Sequence, residues 1–123
     1  MEEITTPAQV ISELNRLMAE SQKGITALYE QEILVAELDA AFEREAALGL
    51  LNAGHNLPVE QRTKLTSPEK QALAKLASLD KKLELDLAKA QQSRIKLKLK
   101  AIDSAIMATS VIAKQVELQW RNA

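Results

Sequence analysis

The stretch Ser93-Arg94-Ile95-Lys96-Leu97-Lys98-Leu99-Lys100 reads SRIKLKLK. Strict alternation of apolar and basic residues is the pattern of a half-buried β-strand. It lies inside a long segment, everything after Pro68, that contains no glycine and no proline. Whether it is a strand or one piece of a helix therefore decides the fold. The neighbours favour the helix. Advancing 100° per residue from Ile95 brings Leu99, Ile102, Ile106, Ala113, Val116 and Trp120 onto one side. Leu73, Leu76, Leu83, Leu87 and Leu97 are read as the adjoining side of the same apolar arc. A strand would throw this set onto both faces. The reading is one helix over about 68–120, on the order of 78 Å long at about 1.5 Å per residue.

Within that helix the lysines sort themselves. Lys75, Lys82, Lys89 and Lys96 recur every seven residues and form a stripe beside or opposite the apolar arc, joined by Lys100 and later Lys114. Lys98 falls inside the arc, where its stem would have to snorkel. Leu85 is its opposite, an apolar residue on the polar side. A second copy, or a broad two-faced contact, would absorb both.

Earlier boundaries are marked by capping chemistry. Thr6 is a candidate N-cap, with Pro7 at the first helical position and Gln9 at capping-box spacing. Val10, Leu14, Leu17 and Met18 then form a stripe that resumes in phase at Ile25, Leu28, Val35, Phe42 and Ala46. Gly24 interrupts it, either as the end of a separate N-terminal helix or as an interior glycine, and the continuity of the stripe leans toward a kink. A second helix over about 25–52 ends at Asn52-Ala53-Gly54-His55-Asn56-Leu57-Pro58, with Gly54 as the left-handed terminator. Residues 58–65 have room for a helical turn, and Thr66-Ser67-Pro68-Glu69 opens the long helix, with Thr66 or Ser67 as its cap, Pro68 as its first residue and Glu69 complementing the positive helix end. The predicted fold is all-α, one domain over 1–123: an elongated antiparallel helical hairpin with an extra N-terminal helix, self-associating into an oligomeric bundle. A helix of that length outruns the 67 residues that precede it, so its surplus face needs a second copy.

Composition bounds the function. The chain has 123 residues, no cysteine and three aromatic residues, Tyr29, Phe42 and Trp120. Disulfide and thiolate chemistry are excluded. No apolar run is long enough to span a membrane, and the acidic start MEEITTPAQ does not read as a leader, so a cytoplasmic location is expected. His55 stands alone in a polar turn, which excludes a histidine-based di-metal bundle. No glycine-rich phosphate loop and no nucleophile–base set is present. No catalytic residue, metal or cofactor is therefore expected, and an enzyme is not the reading.

Net charge is -1, but it is unevenly placed. Residues 1–61 carry -8, residues 62–100 carry +7, and the remainder balances. Lys75, Lys82, Lys89, Arg94, Lys96, Lys98 and Lys100 are the candidate nucleic-acid contacts, tracking phosphates and releasing counterions. Two plainer readings stand beside this one. The stripe is a solvated helix face, or it docks on the acidic helix 25–52 with Glu30, Glu32, Glu37, Glu43 and Glu45 as rim partners. Scarce aromatics leave no stacking platform, so any nucleic-acid contact would be backbone-led. Ile106, Val116 and Trp120 are the candidate oligomer interface, Trp120 as its anchor.

The order of parts resembles the small helical recombination mediators of phages, the UvsY-like proteins. A helix with an early tyrosine, Ala27-Leu28-Tyr29-Glu30 to Phe42, is followed by a polar turn and a lysine-bearing long helix. That helix closes on Ala113-Lys114-Gln115-Val116-Glu117-Leu118-Gln119. The resemblance covers roughly residues 25–119. It implies a homo-oligomer in a host cytoplasm that binds single-stranded DNA and helps a recombinase to load. The alternative is a helical scaffold, adaptor or inhibitor acting by protein contacts alone.

Overall fold

A computed structural model describes residues 4–122; the first three residues of the acidic N-terminus lie outside it. The described residues are all-α, with no strand among them. Helix α1 runs Pro7–Leu51, a short α2 runs Val59–Arg62, and α3 runs Ser67–Arg121. SRIKLKLK is helix throughout.

The cap of α1 is the one the sequence calls for, and at α3 the structure chooses between the two candidates. The Gln9 amide donates to Thr6 Oγ1 at 3.2 Å, while Gln9 Oε1 accepts from the backbone N–H groups of Thr5 and Thr6 at 2.8 and 3.1 Å. This reciprocal arrangement satisfies the N–H groups of Thr5, Thr6 and Gln9 at the helix start. At α3 the Glu69 N–H donates to Thr66 Oγ1 at 3.3 Å, so Thr66 is the cap and the helix opens one residue before Pro68. Gly54 stops the chain after α1 with φ 76°, a conformation that only glycine adopts freely.

The separate N-terminal helix is not formed. α1 passes through Gly24 without a break. The reason is packing. A Cβ on Gly24 would lie 2.5 Å from Leu99 Cδ2, so this glycine serves close approach of α3 and not termination.

The chain divides into two compact units, one pairing the stretch to Glu30 with the stretch from Gln92 onward, the other spanning Gln31–Gln91. In the first, α1 and α3 run antiparallel: Gly24 faces Leu99, and Thr5 accepts a hydrogen bond from Trp120. The buried and half-buried positions of α1 here include Val10, Leu14, Leu17, Ser21, Gly24 and Leu28, in alternate steps of four and three. On α3 they include Ile95, Leu99, Ile102, Ile106, Thr109, Ala113 and Val116, with the same stepping. In the second unit the helices are again antiparallel. Gly49 lies against Ala74 and Ala77, and the Gln31 side-chain amide donates to the Ala88 carbonyl at 2.9 Å. Its seam runs Gln31, Val35, Leu38, Phe42, Glu45 and Gly49 on α1, and Ala74, Ser78, Lys81, Leu85 and Ala88 on α3.

Burial therefore follows a seven-residue repeat, and this corrects the arc drawn from Ile95. A straight helix drifts about 20° per seven residues from such a repeat. Over the 19 residues back to Leu76 the error is about 55°, enough to move a residue off the flank onto the outside. Leu85 is a buried seam residue, and Leu76, Leu83 and Leu87 are exposed. Leu97 is exposed as well, since two residues are more than half a turn. Lys98 is exposed beside the seam and not inside it.

The second unit has the thinner core. Its buried apolar residues are Ala74, Leu85 and Ala88, two of which bring only a methyl group. Its seam also includes the polar Gln31, Glu45, Ser78 and Lys81. The Ser78 hydroxyl, fully within the seam, donates back to the Ala74 carbonyl at 2.9 Å. The first unit buries Val10, Leu17, Ile102 and Val116, all branched aliphatics.

Candidate interaction surfaces

Every candidate nucleic-acid contact is exposed on α3. Lys75, Lys82 and Lys89 lie in the second unit, each one residue past a seam position, so they form a straight row along one flank of the seam. Seven residues advance about 10 Å, the spacing within the row. Lys96 takes the same position in the first unit. Arg94, Lys98 and Lys100 do not join it. By i,i+4 spacing Arg94 pairs with Lys98 on the opposite flank of the seam, while Lys100 stands one turn on from Lys96, so the four cations form two pairs, one on each flank of the Ile95–Leu99 seam.

The acidic residues of α1 are placed by the same repeat. Reversing one helix of a pair brings like flanks to the same side, so Glu32 and Asp39 stand on the flank that carries Lys82 and Lys89. Glu43 lies one row further out, and Glu45 is half-buried in the seam. The proposed docking of the basic helix on the acidic one is not made through ion pairs. Among the described residues the ion pairs are Arg16–Glu13, Lys81–Glu84 and Arg121–Glu117, each within a single helix. Arg16 donates to both oxygens of Glu13, and this holds the Glu13 carboxyl below its ordinary value and raises Arg16.

The three candidate interface residues separate. Val116 is buried against α1 within one chain, so it belongs to the intrachain seam and offers nothing to a second copy of the folded hairpin. Ile106 is half-buried in the same seam. Trp120 remains 57% exposed, with its indole N–H donating to the Thr5 carbonyl at 3.3 Å. Beside it is an apolar cavity of about 380 Å³ lined by Pro7, Val10, Ile11, Ala113, Val116 and Trp120, with the Glu117–Arg121 pair at its rim.

What the sequence reading missed is the outer face of α3. Leu76, Leu79, Leu83 and Leu87 are between 48% and 72% exposed. A repeat of seven, laid over the sequence in place of 100° steps, would have separated this set from the seam. His55 is exposed in the turn. No group of His, Asp or Glu able to hold a metal occurs among the described residues, and none of their helices is long and apolar enough to cross a membrane. No family model, curated protein or solved structure matches the chain.

Proposed function

We propose that this chain is a non-enzymatic helical accessory protein that works by self-association, its two long helices forming an antiparallel coiled coil that assembles further. One observation carries the reading. Leucines as exposed as Leu76, Leu83 and Leu87 repeat along one side of α3, while no large side chain among the described residues is fully buried. Contiguous apolar surface rimmed by charge marks a protein-contact face. Sedimentation from one to a hundred micromolar tests it. The expected result is a dimer or larger species, and a plain 13.6 kDa monomer throughout overturns it.

A second reading adds nucleic acid. Its observation is the cluster of Arg94, Lys96, Lys98 and Lys100 within two turns of α3, four exposed cations none of which is in an ion pair. Single-stranded nucleic acid would be held by its phosphates, with a strong salt dependence. Recombinase loading, which the phage-mediator resemblance implies, would build on such contact. Fluorescence anisotropy with a single-stranded oligonucleotide decides: binding at about 50 mM salt that fades at about 200 mM supports it, and none at the lower salt removes it. With binding absent and self-association present, the scaffold or adaptor role stands.

A further inference from the structure

The lysine row of the second unit occupies an unusual place. Lys75, Lys82 and Lys89 flank the intrachain seam on one side, and on their other side stand Leu76, Leu79 and Leu83. These leucines, with spacings of three and four, have the stepping of a second seam left uncovered. Cations beside an apolar seam are the usual means by which helices choose partners. Across the same face of the unit, α1 presents Glu32, Asp39 and Glu43, all exposed. The face thus displays a basic row on one helix and an acidic row on the other.

From this arrangement we infer that the face of the second unit bearing these two rows is the self-association surface, and that its occupant is the same face of a second copy of this chain. This rests on the self-association reading above and specifies its surface. A two-fold rotation sets the lysine row of each copy against the acidic row of the other, so one surface complements itself, as an isologous contact requires. Charge complementarity is one argument; local need is the other, since this is the unit whose buried apolar residues are mostly alanine. Lys75, Lys82 and Lys89 are then assembly residues, and of the candidate nucleic-acid contacts Arg94, Lys96, Lys98 and Lys100 are left to meet a polyanion.

Two triple variants of the full chain test the pairing: K75E/K82E/K89E, and E32K/D39K/E43K. Each puts like charges at every contact of its own dimer. Sedimentation equilibrium at about 50 mM salt reads the outcome, with circular dichroism to establish helicity. Each variant alone is expected to associate at least tenfold more weakly than the parent, and an equal mixture to recover parental association. Recovery on mixing is the signature of contact between chains, because pairing within one chain is rescued only when both sets of changes are in the same molecule. If the parent associates and both variants associate as well as it does, this surface is wrong while self-association stands. If mixing restores nothing, the row-to-row pairing is overturned. If either variant loses its helices, Leu76→Lys with Leu83→Lys, which leaves both rows intact, replaces it; undiminished association of that variant overturns the surface. A monomeric parent ends both readings. Tight oligonucleotide binding lost in K75E/K82E/K89E while parental association persists would reassign the row to nucleic acid.

Discussion

Single residues show how closely the two helices are fitted. Gly24 and Gly49 read alike in the sequence, yet they meet different neighbours. A Cβ at Gly24 strikes the end of the Leu99 side chain, which can rotate away. A Cβ at Gly49 comes 3.0 Å from Ala77 Cβ and 3.1 Å from Ala74 Cα, which cannot move without the backbone. Gly49→Ala is therefore expected to cost about 1–3 kcal/mol. Gly24→Ala should stay within about 1 kcal/mol of the parent, because the helical preference of alanine offsets the displacement of Leu99. Urea denaturation measures both, and equal costs would contradict the distinction. Gly54→Ala should cost about 1–2 kcal/mol through its positive φ. Glu13 offers a pH signature. Its carboxyl is held below its ordinary value by Arg16, so the contribution is present above the unfolded-state value and is lost as pH falls through the lowered one. In Arg16→Ala, the NMR titration of Glu13 should move upward.

At the scale of the element, α3 decides which leucines matter. Leu85 is 4% exposed and Leu97 is 67% exposed. Leu85→Ala should destabilise by about 2–5 kcal/mol, whereas Leu97→Ala should fall within about 0.5 kcal/mol. Thermal and urea unfolding of the pair would reveal a reversal if the seam followed the 100° arc. The caps were legible because they are local: Thr6, Pro7 and Gln9 need only their own first turn. Thr66→Ala should cost about 1 kcal/mol by removing the hydroxyl that accepts from Glu69. The seam was less legible because angular error accumulates along a helix of 55 residues, and no local signal resets it. Gly24 was ambiguous for another reason. A glycine that ends a helix and one that admits a neighbouring side chain look the same until the neighbour is placed.

For the whole molecule the expectation is that folding and assembly are linked. If a second copy covers the outer leucines, association stabilises the folded state by mass action, and the thermal midpoint should rise with protein concentration. Scanning at ten and at two hundred micromolar checks this; an unchanged midpoint would mean that the hairpin is stable alone. The sevenfold spacing of the lysines is legible in the chain itself. That Lys75, Lys82 and Lys89 share a face with Glu32, Asp39 and Glu43 required both the register and the direction of the two helices.

The all-helical class, the capped start of α1, the region in which α3 begins and the turn at Gly54 are written into the chain, since each depends on propensity and on bonds within a few residues. That α1 runs through Gly24, that Leu85 is inside and Leu97 outside, and that Val116 is taken up within one chain follow from how the helices pack. Those outcomes depend on which face of one helix meets the other, and that choice is made by packing over the length of the seam, beyond the reach of any local signal.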